Sequence, residues 1–238
     1  MIKPIFSRIL LKLSGEILAG NKGFGLDPIA AKRLALEVKS ARDLGVSVGV
    51  VIGGGNIIRG ELAEVQGMER VSADYLGMLA TIINSITLQD ALEKNDCATR
   101  TLSALSISQL AEPYIRRRAI RHLEKKRVII LAGGTGNPYF STDTAAVLRA
   151  TEIESEVIIK GTKVDGIYNK DPLNFKDAVK FDSISYNEIF DQNLKVMDMT
   201  AITMAKENNL PIIVYNVNEK DGLKKILSGE KIGTYVGK

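Results

Sequence analysis

Three places in this chain set glycines directly after an apolar run, a pattern suited to holding phosphate. The longest is Gly133-Gly134-Thr135-Gly136-Asn137-Pro138-Tyr139-Phe140-Ser141-Thr142-Asp143, which follows Val128-Ile129-Ile130-Leu131. Here a buried strand opens into a glycine loop, and Ser141 to Asp143 start a helix ahead of Ala145, Ala146, Val147 and Leu148. Glycines leave backbone N–H groups open, and a helix N-terminus adds roughly half a positive charge, so such a junction attracts anions. Similar junctions occur at Lys12-Leu13-Ser14-Gly15 and Ile52-Gly53-Gly54-Gly55-Asn56. Three of them suggest a ligand with several phosphates. Lys12 and Lys160 both stand at the ends of apolar runs, where a cation can meet such a ligand.

The elements that must position these residues are short β-branched runs alternating with amphipathic stretches. Strands are predicted at Arg8–Leu13, Val46–Ile52, Thr99–Ala104, Val128–Leu131, Val157–Lys160 and Pro211–Tyr215. Several are apolar almost throughout, as befits strands covered on both faces. Asp27-Pro28 supplies an N-cap and a first-turn proline for a helix through Ala30, Leu34, Val38 and Ala41, which Gly45 ends. Ser72-Ala73-Asp74 is predicted to begin a long helix through Leu76, Leu79, Ile83 and Ile86. Further helices are expected from Thr142-Asp143, over Asp198 to Asn208, and along Arg116 to Arg127. The basic helix reads as a solvated face, with Ile115, Ala119, Ile120 and Leu123 apolar. The pattern predicts an α/β fold, an αβα sandwich around an open, mainly parallel twisted sheet. Ligands of such sheets collect at strand C-terminal ends, where all three junctions lie.

Composition narrows the classes. The 238 residues fit one large domain or two intimately packed lobes. A net charge of +4 suits a small anion and calls for no nucleic acid. One cysteine, Cys97, and one histidine, His122, exclude an internal disulfide, a Cys-cluster or multi-histidine metal site and the usual histidine triad. Arg8 and Lys12 interrupt the first apolar stretch, and no apolar run approaches the ~18 residues of a membrane span. A cytoplasmic protein without a membrane partner is expected. No G-x-x-x-x-G-K-[ST] is present, and Gly53-Gly54-Gly55-Asn56-Ile57-Ile58 fails G-x-G-x-x-G at its last position. Phosphate handling here must use another arrangement of lysines, glycines and helix ends.

Leu11-Lys12-Leu13-Ser14-Gly15-Glu16 resembles the phosphate-binding lysine strand and loop of the amino acid kinase superfamily. Val50 to Gly60, Thr135 to Thr142 and Lys160-Gly161-Thr162-Lys163-Val164-Asp165-Gly166-Ile167-Tyr168 continue the likeness in order, from about Ile9 to Gly233. The Thr-Gly-Asn-Pro-Tyr-Phe-Ser-Thr block is similar to that of the bacterial uridylate kinase branch. The resemblance implies a single amino acid kinase domain over 1–238, its N-terminal part mainly binding UMP and its C-terminal part mainly ATP. It also implies phosphoryl transfer from ATP to UMP, with Mg2+ accompanying ATP and no dedicated protein metal ligands.

By the same likeness, Lys12, Asp143 and Lys160 are catalytic. Asp143 reads locally as a helix cap, and the resemblance adds the task of orienting the two lysines. Lys12, Leu13, Ser14, Gly15, Gly55, Arg59, Thr162, Tyr168 and Asp171 would bind ATP. Gly54, Asp74, Thr135, Gly136, Asn137, Pro138, Tyr139, Phe140, Ser141 and Thr142 would bind UMP. Gly20, Asn21, Lys22, Gly23, Phe24 and Gly25 resemble a stretch linked to activation by GTP. UTP inhibition and a homohexamer are implied in the same way. Two alternatives stand beside this reading: a kinase of the superfamily acting on a carboxylate or carbamate, and a nucleotide-binding regulator without catalysis.

Overall fold

A computed structural model of the chain describes residues 3–58 and 67–238. All six predicted strands form, with ends shifted by a residue or two: β1 Arg8–Leu13, β2 Ser47–Ile52, β3 Thr99–Ser103, β5 Val128–Ala132, β6 Val157–Thr162 and β10 Ile212–Asn216. Five short strands add to them: β4 Glu112–Pro113, β7 Ile167–Tyr168, β8 Lys180–Phe181, β9 Ser183–Ser185 and β11 Thr234–Gly237. Among the described residues, nine strands make one sheet in the order β4-β3-β5-β2-β1-β6-β10-β11-β9. Every pair in it is parallel except β10 with β11. The β7–β8 hairpin stands apart.

Helices cover both faces, giving the predicted αβα sandwich. Odd-numbered residues of β1 (Ile9, Leu11, Leu13) face α1 Pro28–Asp43, α2 Arg70–Glu93 and α7 Gly222–Leu227. Leu10 faces the other core, shared with α3 Arg116–Glu124, α4 Thr142–Glu152, α5 Tyr186–Asp191 and α6 Met199–Glu207. The alternation follows from the two-residue period of a strand. It therefore assigns Lys12 to the α4 side. The cap of α1 is as expected, with Asp27 accepting from the Ile29 N–H at 2.9 Å and Pro28 following. Gly45, at φ +89°, lies just past the end of α1.

Two expectations need correction. Helix α2 starts at Arg70, ahead of Ser72, and the face that packs inward is not the one marked by Leu79, Ile83 and Ile86. Ala73, Met78, Thr81, Ile82, Asn84, Ser85, Leu88 and Leu92 are buried, while Tyr75, Leu79, Ile83 and Ile86 are exposed. Small and polar residues pack inward because the glycine loops lie against this helix. The Asn84 amide donates to the Gly53 carbonyl at 2.7 Å, and the Thr81 hydroxyl accepts from the Gly133 N–H at 2.9 Å. The second correction concerns membrane spans. By length and composition α2 is long and apolar enough to cross a membrane. Its inward face is nevertheless buried inside the protein, Leu88 and Leu92 in the hydrophobic core and Thr81 and Asn84 against the glycine loops.

Candidate active site

The centre of the site is a register coincidence. Lys12 of β1 and Lys160 of β6 are direct partners on adjacent parallel strands, both on the α4 side. Two like charges so placed would repel. Asp143, in the first turn of α4, stands between them. The Lys12 ammonium lies 2.5 Å from its Oδ1, and Lys160 donates to its Oδ2 at 2.9 Å. None of the three side chains is more than 15% exposed. Burial alone would raise the Asp143 pKa, but the two lysines outweigh it and hold the carboxyl below its ordinary value. Lys160 is pushed down, first by burial and then by Lys12, with Asp143 opposing. Two cations share one anion here, so the cluster keeps an excess positive charge aimed at the strand ends.

Asp143 is not the cap of α4. That role belongs to Ser141, whose hydroxyl accepts from the N–H groups of Asp143 at 2.9 Å and Thr144 at 3.2 Å. With the cap filled by serine, the aspartate side chain is released to face the lysines. Asp198, noted in the sequence only as a helix start, proves to be a junction of this site. Its carboxylate accepts from the Ser141 hydroxyl and from Thr144 Oγ1 at 2.9 Å, and it caps α6 through the Ala201 N–H at 2.9 Å. The aspartate before an apolar helical stretch was the signal available; its reach across to α4 was not.

A cavity opens on each side of β1 in the sheet order. On the β2/β5 side, about 480 Å³ is lined by Gly54, Gly55, Asp74, Gly134, Phe140, Ser141 and Thr142, with Glu16 and α2. On the β6/β10 side, about 430 Å³ is lined by Thr162, Tyr168, Asp171 and the 192–196 segment. Thr142 and Asp143 are neighbours, and Lys160 donates to the Val196 carbonyl at 2.6 Å, so the charged cluster touches both. Gly15 follows the β1 lysine and packs close to the second junction. A Cβ there would strike the Gly53 carbonyl and the Asn56 amide.

The expected UMP residues divide. Gly54, Asp74, Phe140, Ser141 and Thr142 line the first cavity, whereas Thr135, Gly136, Asn137, Pro138 and Tyr139 form the preceding turn and do not line it. Among the expected ATP residues, Thr162, Tyr168 and Asp171 line the second cavity, but Gly55 lies in the first. Tyr168 donates its hydroxyl to Asp165 at 2.7 Å. The Asp171 carboxylate accepts from the Leu173 N–H and the Asn174 amide, closing a local turn. Ser14 accepts from the Glu16 N–H at 3.3 Å. Arg59 lies outside the described residues. The Gly20–Gly25 turn is joined to the second junction, since Gly25 donates to the Asn56 carbonyl at 2.8 Å and the Asn56 amide donates back to the Gly25 carbonyl at 2.7 Å. Among the described residues no cluster of His, Cys, Asp and Glu is built to hold a metal ion.

A parallel sheet with two buried lysines bridged by an aspartate, set between two cavities, defines a phosphoryl-handling α/β protein. The chain belongs to the amino acid kinase family, whose model matches residues 7–216. It is 56% identical over 230 residues to a uridylate kinase of Roseobacter denitrificans, covering 97% of this chain and 94% of that one. Among solved structures it superposes on UMP kinase from Bacillus anthracis with a TM-score of 0.95 at 40% identity, covering 98% of this chain and 96% of the other. UMP kinase from Ureaplasma parvum gives 0.92 at 38% identity, with 98% and 99% covered. Uridylate kinase from Archaeoglobus fulgidus gives 0.75 at 26%, with 96% and 99% covered.

Proposed function

We propose that this chain is a UMP kinase, transferring the γ-phosphoryl of ATP to UMP to give UDP and ADP. The observation that carries the reading is the Lys12–Asp143–Lys160 cluster at the boundary of two cavities. It is joined by the likeness to uridylate kinases along nearly the whole chain. In this reading UMP occupies the cavity lined by Asp74 and Thr142, and ATP the cavity lined by Thr162 and Tyr168.

A phosphate oxygen of UMP attacks the γ-phosphorus, and the bond to the β-phosphate oxygen breaks with its electron pair leaving on ADP. Both reactants are anions, so the rate depends on alignment and on neutralising charge. Lys12 and Lys160 approach the transferring group from two adjacent strands. Asp143 holds them in register and, with its depressed pKa, stays ionised; it organises and does not take a proton. The acceptor phosphate has already lost its proton near neutral pH. Magnesium belongs to the substrate, ATP arriving as its magnesium complex.

We further propose GTP activation through Gly20 to Gly25, UTP inhibition, a homohexamer, a role in pyrimidine nucleotide synthesis and a cytoplasmic location. The tie from Gly25 to Asn56 supports the first, because Asn56 directly follows the Gly53–Gly55 junction. The exposed apolar face of α2 supports assembly. The deciding assay is ADP release from ATP and magnesium with UMP, CMP, dUMP or N-acetylglutamate as acceptor. Turnover largely confined to UMP is expected. Turnover only with the amino acid derivative would overturn the acceptor assignment.

A further inference from the structure

Helix α2 begins with an arginine in the wrong place for helix stability. Arg70 is its first residue, where the helix end is already positive. The preceding Glu69 makes no side-chain cap, and no acid sits in the first turn. Its pairing with Asp74 four residues on has the base ahead of the acid, the less favourable order along a helix. Residues that break a local rule of this kind commonly serve a site.

The Asp74 carboxylate shows what is being served. Its Oδ2 accepts from Arg70 Nε at 2.9 Å and also from the backbone N–H of Tyr139 at 2.7 Å, a contact across 65 residues of chain. The Arg70 guanidinium stands 5.6 Å from the Tyr139 ring centroid. Tyr139 has φ +70°, in the left-handed region that a tyrosine adopts only when its surroundings hold it there. Asp74 is only 17% exposed and lines the cavity assigned above to UMP, as does Phe140, next to Tyr139. One carboxylate oxygen is thus the node where the start of α2 and the strained turn of the 133–141 loop are fastened together.

We propose that Arg70 is a positioning residue for the acceptor nucleotide. It fixes the carboxylate of Asp74 toward the cavity and, with that carboxylate, pins the turn at Tyr139 so that Phe140, Ser141 and Thr142 meet the ligand in one arrangement. The inference rests on the reading of this cavity as the UMP pocket. Lysine cannot replace the arginine here. An ammonium lacks the planar fork that bonds Asp74 edge-on while its face lies toward an aromatic ring.

The test compares Arg70→Gln and Arg70→Lys with the unaltered chain. UMP and ATP are titrated separately, thermal unfolding is recorded, and amide exchange is followed over residues 135–141 without ligand. Both variants are expected to raise the KM for UMP about tenfold, the weight of one charge-assisted hydrogen bond. The KM for ATP and the unfolding temperature stay put, and exchange at the Tyr139 amide quickens. Full rescue by lysine would overturn the proposal, since charge alone would then suffice. So would an unchanged KM for UMP with unchanged exchange, or equal losses for both substrates with a lowered unfolding temperature. Failure of the unaltered chain to use UMP would overturn the functional reading instead; the exchange measurement, which needs no substrate, still decides for or against the clamp.

Discussion

Replacing Asp143 by asparagine keeps the shape of the first turn of α4 and removes one charge. Lys12 and Lys160 are direct neighbours on adjacent strands, and such neighbours sit about 4.8 Å apart. Two ammonium groups held about 5–6 Å apart at an effective dielectric near 20 repel by about 3 kcal/mol. With the carboxylate gone, only the Val196 carbonyl and the Asp198 carboxylate favour the charged Lys160, and the lysines respond by losing a proton or swinging apart. Either response removes the alignment that the transferring phosphoryl needs. At about 1.4 kcal/mol per factor of ten, kcat should fall by about a hundredfold. UMP affinity should change little, because Asp143 does not line the cavity assigned to UMP. Steady-state ADP release gives kcat, and calorimetric titration with UMP gives affinity. A kcat within twofold of the unaltered chain would refute the reasoning and leave Asp143 as a first-turn acid only. Loss of UMP binding with kcat intact at saturation would refute it from the other side.

Lys160 is depressed below its ordinary pKa of 10.5, so the alkaline limb of kcat should begin below that value. Stability should respond in the opposite sense: the unfolded chain holds this proton more tightly, so between the folded pKa and 10.5 the contribution of Lys160 to stability rises with pH. The difference in unfolding free energy between the unaltered chain and Lys160→Met across that range measures it, and a flat difference would contradict the depressed pKa. Asn84→Ala should cost about 2–4 kcal/mol in urea unfolding, because it orphans the Gly53 carbonyl and the Asn56 amide oxygen inside the protein and leaves the Asn56 amide nitrogen only its bond to Gly25. A loss under about 1 kcal/mol would mean that water replaces those bonds.

How much of this was legible in the sequence differs by element. Most of the six core strands were readable because burial on both faces makes them nearly continuous in Val, Ile and Leu, whereas β3, Thr99–Ser103, carries one leucine and was marked by its β-branched threonines. Strands β4, β7, β8 and β9 were not, since two or three residues carry no period. The outward apolar stripe on α2 misled because the hydrophobic spacing was real, but part of the inward side had been given to Thr81 and Asn84, which bond the glycine loops. Lys12, Asp143 and Lys160 were each visible at a strand end or helix start. What brings them together is strand register across more than 140 residues, which local pattern does not encode. Asp198 and Arg70 were missed for a related reason. Asp198 looks locally like an ordinary helix cap and Arg70 like a misplaced base at a helix start. What gives each its meaning is a contact with distant chain, Ser141 and Thr144 for the first and Asp74 with Tyr139 for the second.

The two outer strands of the sheet set a limit on how this protein can meet other copies of itself. One border is Glu112–Pro113, two residues long with a proline that has no N–H to offer; the other is Ser183–Ser185, only three residues. Neither presents a row of unsatisfied backbone groups long enough to template an incoming strand. Sheet-to-sheet growth, the common route from a wide β-structure to insoluble fibres, is thereby closed at both margins. Concentrated solutions of the folded chain should therefore associate through helical surfaces and not by strand addition.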